Sequence, residues 1–300
     1  MMGMEKWFTS DVLAVYAAVF VVVAILIVVR QRLRAAVTAG PSRKAAPSPE
    51  LASSEQQPDR EISLGNAQTI GRRTEQDDYF ASAVTKVGTL AVLADGISGV
   101  SNGRMASTLA VTMFSREFLK LDDAGDIPEF FHKASIVSNR AIMEQLGGAI
   151  GGTTLVAAVI SDHRLHWGAV GDSLILLFRD GEFLPVNSKD TFESVLEARY
   201  LAGEIGREEV SGNPMKNQLT NYLGYGGFMS MEVGEPIPLE PGDIVILCSD
   251  GVYDALTEVE MEEILMQRMP PQETAEEMIA CVERKSYKHQ DNATVLILEH

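Results

Sequence analysis

The chain is poor in cysteine and histidine. It has two cysteines and five histidines among 300 residues, and no Cys-x-x-Cys, His-Glu-x-x-His or clustered Cys/His pattern. These absences argue against a disulfide scaffold and against a zinc site with nitrogen and sulfur ligands. Cys248 and Cys281 lie in apolar or helical surroundings, so we interpret both as buried thiols in a reducing compartment.

Basic residues are also scarce. The chain has 25 Lys and Arg against 42 Asp and Glu, a formal charge of −17, and residues 61–300 contain 18 of the bases and 37 of the acids. A surface that binds nucleic acid needs Lys and Arg to neutralise phosphates, so this composition argues against nucleic acid as a partner. Divalent cations can offset the repulsion between acids in a domain this acidic. A solvated acidic surface would have the same composition.

One apolar run contains no charged residue, no Gly and no Pro: residues 12–29, VLAVYAAVFVVVAILIVV. Its 18 residues are close to the minimum that spans a bilayer as a helix. The basic RQRLR follows directly, the reverse of a signal peptide, and places the C-terminal side in the cytoplasm. We therefore predict a single-pass helix in the inner membrane after a short flank, 1–11. A cleaved signal peptide, with VTA at 37–39 as its cleavage site, and a buried helix are the alternatives.

A hydrophobic period is absent from the next segment. Residues 30–60 begin with this basic stretch and continue as AAVTAGPSRKAAPSPELASSEQQPDR, which is rich in Ala, Pro, Ser and Gln. Such a composition is typical of a flexible tether. We therefore expect the remaining residues, 61–300, to form the folded domain.

Short apolar runs separated by turn signals predict an α+β domain in residues 61–300. The predicted strands are 89–94, 153–160, 164–170, 174–178, 229–235, 243–248 and 293–298, and the predicted helices are 103–121, 128–146, 258–268 and 272–287. The connections between 153–160, 164–170 and 174–178 are too short for crossover helices, so we expect these three strands to pair antiparallel. The expected architecture is an antiparallel sheet core with helices packed outside it.

Aspartates recur at the ends of these strands and in tight turns. They stand in EQDDYF at 75–80, ADG at 94–96, GDS at 171–173, SDG at 249–251 and DN at 291–292. One Asp at a strand-to-turn junction is common, but this recurrence indicates carboxylates directed into one site. Carboxylates gathered in one place repel one another, and hard divalent cations with oxygen ligands are the natural way to neutralise them.

The order of these motifs resembles that of the metal-dependent Ser/Thr protein phosphatases of the PPM (type 2C) family. GRRTEQDD, DGISGVSNGRMAS, GGTTL, GAVGDS, LCSDGVYDAL and DNATVLIL follow one another as in that family over essentially all of residues 62–300. The resemblance implies a four-layer α/β/β/α sandwich, with two antiparallel sheets flanked by helix pairs, and the composition of residues 12–29 predicts one transmembrane helix before it. It also implies two Mn²⁺ or Mg²⁺ ions at one end of the sandwich, with room for a third, weaker ion.

The family's metal ligands carry over to acids of this chain. By resemblance, Asp95 bridges the two ions and Gly96 offers its backbone carbonyl. Asp250 and Asp291 would hold one ion from the far side of the sandwich. Asp172 matches the position that the family associates with the third ion. The resemblance thus assigns every acid-bearing motif a role in one metal centre.

Two assignments near the start of the domain stay open. Arg73 is the expected phosphate clamp, since a guanidinium offers two parallel donors to phosphate oxygens, and Arg72 is its rival. Asp78 is the expected metal ligand because it follows Arg73 by five residues, the spacing of the family. Asp77 then takes the neighbouring acidic position, with its contact through a metal-bound water. A register shift of one residue would exchange the members of both pairs.

The resemblance implies hydrolysis of phosphoserine and phosphothreonine in proteins, and the predicted membrane helix would place this activity at the cytoplasmic face of the membrane. Water activated between the two metals would attack phosphorus in line. The partners would be phosphorylated proteins, the targets of a Ser/Thr kinase, and residues 191–228 would form a mobile flap beside the site. The alternative is a non-catalytic sensor or binding module on the same fold.

The chain departs from the family pattern at several positions around the expected site. Ile97 and Val100 stand where His is frequent. Leu174 replaces an Arg, and Asp190 lacks the His that follows it in the family. These departures affect the expected rate and substrate preference, because no His is supplied locally as a general acid, but they leave the metal-binding acids intact.

Overall fold

Two antiparallel β-sheets form the centre of the domain. The computed structural model describes residues 62–97 and 102–300, so the predicted flank, membrane helix and linker (1–60) lie outside the described residues. The strands are β1 (Ser63–Thr69), β2 (Asp78–Thr85), β3 (Gly88–Asp95), β4 (Leu155–Ser161), β5 (Arg164–Val170), β6 (Leu174–Arg179), β7 (Glu182–Pro185), β8 (Glu232–Val233), β9 (Ile237–Pro238), β10 (Ile244–Cys248) and β11 (Ala293–Glu299). The first sheet has the order β1-β11-β10-β6-β7, and the second has the order β2-β3-β4-β5-β8, with β9 also paired to β5.

Helices cover the outer face of each sheet. The helices of the described residues are α1 (Gly103–Phe118), α2 (Ile127–Leu146), α3 (Phe192–Leu201), α4 (Arg207–Ser211), α5 (Asp250–Tyr253), α6 (Glu258–Leu265) and α7 (Pro271–Lys285), and α3 and α4 are not part of the layers that cover the sheets. An inner core lies between the two sheets, and its side chains come from β3, β4 and β5 on one side and from β6, β10 and β11 on the other. One outer core joins α1 and α2 to the second sheet, and another joins α6 and α7 to the first. The layers therefore follow the order α/β/β/α.

The central strands are buried on both faces, which explains their continuous apolar sequences. In β3, Leu90 and Val92 pack toward the helices, whereas Ala91 and Leu93 pack toward the other sheet. Successive side chains of a strand point to opposite faces, so a strand with a core on each side needs apolar residues throughout. The ends of these strands lie outside both cores, and polar residues can stand there.

The α+β fold class and most of the predicted elements are confirmed. The predicted helices and the long predicted strands end within three residues of the observed ones. The predicted strand at 229–235 is the exception, because only Glu232–Val233 is a strand there. Gly234 and Pro236 follow it, and both residue types weaken strand pairing.

One pairing prediction is wrong. β4 and β5 form the expected antiparallel hairpin, but β6 pairs with β10 in the other sheet and not with β5. The connection between β5 and β6 begins at Gly171, whose φ is +95°, a conformation that glycine adopts readily. A short connection is thus compatible with a change of sheet, and this one carries Asp172 across the end of the sandwich.

The sequence did not predict the more polar elements. β1, β2 and β7 lie at sheet edges and are only partly buried, so they lack a continuous apolar run. α3 and α4 lie within residues 191–228 and bury few side chains. Cys248 and Cys281 are both free thiols, but Cys281 is only partly buried. Among residues 62–97 and 102–300, no helix is long and apolar enough to cross a bilayer.

Candidate active site

Strand register places Asp78 opposite Asp95. Asp78 begins β2 and Asp95 ends β3, and the antiparallel pairing makes them Cα partners. The backbone of Asp95 is fixed by the two residues that precede β4, since its N–H donates to Thr154 Oγ1 (3.1 Å) and its carbonyl accepts from Thr153 Oγ1 (2.8 Å). The second sheet therefore presents two acids side by side at one end.

The first sheet presents Asp250 and Asp291. β10 ends two residues before Asp250, β11 begins two residues after Asp291, and the two strands are neighbours in the sheet. Gly251 packs so closely on Asn292 that a Cβ on Gly251 would lie 2.0 Å from the Asn292 carbonyl oxygen. Close contact between the residues that follow the two acids keeps the two loops together.

Asp78 links the two sheets at this end. Its Oδ2 accepts hydrogen bonds from Ser249 Oγ (2.8 Å) and Thr294 Oγ1 (2.7 Å), both on the first sheet. Burial raises the pKa of Asp78 to about 6, against the opposing effect of these two donors. Its other oxygen, Oδ1, is buried and has no hydrogen-bond partner among the described residues. A buried carboxylate oxygen without a partner is costly, and a bound cation would satisfy it.

Four of the acids line one cavity of about 340 Å³: Asp95, Asp172, Asp250 and Asp291. The wall is completed by Ile97 and Thr154 and by residues 217–219 and 222. Asp172 reaches this cavity from the β5–β6 connection, and the Tyr253 hydroxyl donates to its backbone carbonyl (3.1 Å). The structure thus brings together acids that lie up to 196 residues apart in the sequence.

Burial and mutual repulsion raise the pKa values of the central acids. Burial is the larger cause at Asp95, whose pKa lies well above its ordinary value, and the charges of Asp78 and Asp250 raise it further. Burial, followed by the charge of Asp172, raises the pKa of Asp250 to about 7. Burial also raises the pKa of Asp172. Asp95 and Asp250 are therefore destabilised by the negative charge of neighbouring acids, which a bound cation would relieve.

This donor set fits Mg²⁺ or Mn²⁺. Its side-chain donors are carboxylate oxygens, the ligands that hard divalent cations prefer. Within residues 62–97 and 102–300, no three His, Cys, Asp or Glu side chains already form a ligand shell. The acids face a shared cavity, so we expect them to draw together around a cation.

Arg73, and not Arg72, is directed toward the acids. Arg73 Nη2 donates to Asp291 Oδ2 at 2.5 Å. Arg72 instead lines a separate cavity of about 210 Å³ together with Glu283 and Tyr287. This arrangement favours Arg73 as the phosphate ligand, as the motif spacing predicts.

Asp77 and Gly96 lie beside the cavity. The Gly96 N–H donates to the Asp77 carbonyl (3.2 Å), and the Asp77 N–H donates to Asn292 Oδ1 (2.8 Å). The Asp77 side chain is half-buried, and burial, followed by the charge of Glu75, raises its pKa. Because Asp77 is less enclosed than Asp78, the geometry favours Asp78 as the direct ligand.

Several residues of the site had no assigned role in the sequence. Thr154 and Ser249 lie within the GGTTL and SDG motifs, so their nearness to an acid was visible, but their hydrogen bonds were not. Thr294 follows Asp291 by three residues, so its nearness to an acid was visible as well. Tyr253 lies within the LCSDGVYDAL motif and Lys189 directly precedes Asp190, but neither had an assigned role in the site; the Lys189 ammonium lies 3.6 Å from the centroid of the Tyr253 ring.

A four-layer sandwich with a cluster of carboxylates at one end, together with an arginine that reaches that cluster, defines a metal-dependent hydrolase of phosphate esters. Residues 67–290 match the family model described as protein phosphatase 2C. The chain belongs to the protein phosphatase 2C family.

Individual relatives are similar over the same region. The chain is 32% identical over 219 residues to a serine/threonine phosphatase stp of Listeria monocytogenes, a match that covers 70% of this chain and 84% of that protein. It is 30% identical over 215 residues to the protein phosphatase PhpP of Streptococcus pneumoniae, covering 69% of this chain and 85% of that protein.

Two solved structures have a similar fold. The serine/threonine phosphatase of S. agalactiae superimposes with a TM-score of 0.71 at 26% identity, over 80% of this chain and 99% of that one. The catalytic domain of the phosphatase PstP, solved in complex with two manganese ions, has a TM-score of 0.65 at 27% identity, over 79% of this chain and 97% of that one.

Proposed function

We propose that this chain hydrolyses phosphoserine and phosphothreonine in proteins at the cytoplasmic face of the inner membrane. Protein Ser/Thr phosphatase activity is the function that its family and named relatives share. The observation that carries the proposal is the convergence of Asp78, Asp95, Asp172, Asp250 and Asp291, from both sheets, at one end of the sandwich.

Two Mn²⁺ or Mg²⁺ ions would be held by these acids. By resemblance to the family, Asp95 would hold both ions, and it stands opposite Asp78 and in one cavity with Asp250 and Asp291. Asp78 would contribute its unpaired Oδ1, and Asp250 and Asp291 would contribute from the first sheet. When bound, the ions supply Lewis acidity and allow water to act as a nucleophile near neutral pH.

The protein's own groups would bind and orient the phosphate. The Arg73 guanidinium is half-exposed beside the cavity and can donate to two phosphate oxygens. When Arg73 binds phosphate, it would give up its ion pair with Asp291. No histidine lines the cavity among the described residues, so we infer that solvent water gives the leaving Ser or Thr its proton.

Residues 191–228 would cover the substrate. Asn217, Gln218, Leu219 and Tyr222 already contribute to the cavity wall. We propose that this segment is the flap expected from the sequence and that it contacts the phosphorylated protein. We also propose that the helix at 12–29 and the linker at 30–60 keep the domain, 61–300, near membrane-associated targets of a Ser/Thr kinase, on the evidence of their composition.

The proposed activity is tested with the full chain in detergent and a phosphothreonine peptide. Hydrolysis should require Mn²⁺ or Mg²⁺ and stop on addition of a chelator. Binding of the peptide without release of phosphate, under saturating Mn²⁺, would support the non-catalytic sensor instead. Hydrolysis that persists after complete removal of divalent cations would contradict the proposed metal centre.

Arg73→Ala is expected to raise KM for a phosphopeptide by about 10- to 100-fold, because a hydrogen bond to a charged group contributes ~1.5–3 kcal/mol. The Mn²⁺ concentration for half-maximal activity should stay the same or fall, since Asp291 loses its ion pair. Arg72→Ala is the matched control and should leave KM within about twofold of wild type. A KM effect at Arg72 with none at Arg73 would shift the register by one residue.

Asp78→Asn is expected to raise the Mn²⁺ concentration for half-maximal activity by at least about tenfold, because it replaces a charged ligand by a neutral one. Asp77→Asn should have a smaller effect, about threefold or less, since Asp77 would act through water. Metal titrations of both variants give the comparison. The reverse order of severity would assign direct metal contact to Asp77.

A further inference from the structure

Two tyrosine rings stack on each other at the edge of the carboxylate cavity. The ring centroids of Tyr222 and Tyr225 are 5.1 Å apart, with 27° between the ring planes, an offset stack of the kind that aromatic rings favour. Tyr222 lines the cavity together with Asp95 and Ile97, whereas Tyr225 is 41% exposed. The pair therefore connects the wall of the cavity with the surface of the domain.

Backbone contacts hold Tyr222 against the cavity wall. Its ring packs so closely on Gly152 that a Cβ on Gly152 would lie 2.5 Å from Tyr222 Cδ2. The Gly152 carbonyl accepts the N–H of Ile97 (3.0 Å), which also lines the cavity. The next residue, Leu223, is buried and exchanges two backbone hydrogen bonds with Thr153 (2.9 and 3.0 Å). The place of the Tyr222 ring is thus fixed by the residues around the cavity.

Tyr225 is anchored beside helix α2 and remains accessible. The N–H of Gly224 donates to Asn139 Oδ1 on that helix (2.8 Å). The two residues that follow Tyr225 are glycines, so they have no side chain that could cover its ring. The end of the Met143 side chain, also on α2, lies near Gly226, and Met143 is 39% exposed. An uncharged surface with exposed apolar groups thus continues outward from the cavity.

A phosphorylated protein bound at the cavity would bring its neighbouring residues over this surface. Successive residues of an extended chain are spaced by about 3.3–3.6 Å, so two residues span more than the 5.1 Å between the two rings. An aromatic side chain placed there would lose its contact with water and add a third ring to the stack, and both effects are favourable. The surface formed by Tyr225, Gly226 and Met143 has no charge that would select an acidic or a basic residue instead.

We propose that Tyr222 and Tyr225 form a subsite for an aromatic side chain of the phosphorylated protein, one or two residues from its phosphoserine or phosphothreonine. The inference rests on the proposed function, because the phosphate in the cavity places the rest of the substrate. It names a class of substrate that the carboxylates and Arg73 cannot select, since these groups act on the phosphate. Tyr225 would determine the specificity, and Tyr222 would join its ring to the cavity.

The test measures kcat/KM of the full chain in detergent, under saturating Mn²⁺, for phosphothreonine peptides that differ at one position. Phe replaces Ala in turn at each of the two positions on either side of the phosphothreonine. Wild type should prefer Phe to Ala by at least about tenfold at one of these positions. Tyr225→Ala should reduce this preference to less than about threefold, and Tyr225→Phe, which keeps the ring, should retain it. A ratio measured on one variant is independent of changes in its metal binding.

Tyr200→Ala is the matched control. Tyr200 lies in the same segment, 191–228, with a similar exposed fraction of 38%, but it does not line the cavity, so its removal should leave the preference for Phe at about tenfold. Tyr225→Gln is a second variant without a ring, used if Tyr225→Ala is unstable, and it should also lose the preference.

The outcomes separate this inference from the proposed function. Hydrolysis by wild type at equal rates for Phe and Ala at every position, or a full preference in both variants without the ring, would overturn the inference alone. So would a wild-type dimer that Tyr225→Ala dissociates while the preference stays, because the tyrosines would then form a contact between copies of the chain. Peptides bound with the Phe preference but not hydrolysed would contradict the proposed function alone. Peptides neither bound nor hydrolysed would overturn both.

Discussion

Asp95→Asn is expected to lower kcat for phosphopeptide hydrolysis by at least about a thousandfold, which corresponds to roughly 4 kcal/mol. Asp95 stands opposite Asp78 on the second sheet and lines one cavity with Asp250 and Asp291 of the first sheet, so it lies at the centre of the charge that would bind the two cations. An amide at this position cannot supply the negative charge that the ions need. Activity measured across a wide range of Mn²⁺ concentrations separates lost chemistry from weakened metal binding.

The same substitution should not destabilise the metal-free protein near neutral pH. An unfolded Asp has a pKa of about 3.9, and the pKa of folded Asp95 is well above its ordinary value. The native state therefore keeps a proton that the unfolded state releases, so stability falls as the pH rises above about 4. Asp78 and Asp250, with pKa values of about 6 and about 7, act in the same direction. Asn removes one of these unfavourable ionisations.

Thermal unfolding in a chelator gives the comparison. At pH 8, Asp95→Asn should unfold at the same temperature as wild type or at a higher one. The unfolding temperature of the wild type should decrease as the pH is raised from 5 to 8. Asp180→Asn, in an exposed turn where φ is +55°, is the matched control and should change neither activity nor this pH dependence. A kcat within about tenfold of wild type for Asp95→Asn, a difference below roughly 1.4 kcal/mol, would show that Asp95 is only a turn residue.

The strands that carry the acids could be predicted because each of their faces meets a core. A strand such as β3, which is apolar throughout and ends on Asp95-Gly96, differs from its surroundings in sequence. The same is true of β10 before Asp250. Asp95 and Asp250 could therefore be identified as acids at the ends of buried strands, and both could be predicted to point into one site.

The contacts between these strands could not be predicted in the same way. The hydroxyls of Ser249 and Thr294 reach Asp78 from positions 171 and 216 residues away, and such long-range polar contacts leave no periodic pattern. The β5–β6 connection has the length of a hairpin but changes sheet at Gly171. Whether this connection forms a hairpin or changes sheet depends on tertiary packing, which the identities of the turn residues do not determine.

Gly251→Ala is expected to destabilise the domain by about 3 kcal/mol, at the upper end of typical overpacking costs. Its Cβ would lie 2.0 Å from the Asn292 carbonyl oxygen and 2.8 Å from the carbonyl carbon. Gly251 is the second residue of α5, where Ala is the better helix former by about 1 kcal/mol. Because that preference favours Ala, the expected loss comes from the contact and not from the backbone conformation. The midpoint of thermal unfolding should fall by about 6–12 °C.

The substitution should also weaken metal binding, because Gly251 follows Asp250 and Asn292 follows Asp291. Backbone atoms that separate at the Gly251–Asn292 contact carry the two carboxylates apart, so the Mn²⁺ concentration for half-maximal activity should rise by at least about tenfold. Gly226→Ala is the matched control, because the atom nearest to its Cβ would be the end of the Met143 side chain, 4.0 Å away. It should change neither quantity. A Gly251→Ala protein with normal stability and normal Mn²⁺ affinity would mean that the loops of Asp250 and Asp291 hold their spacing without this contact.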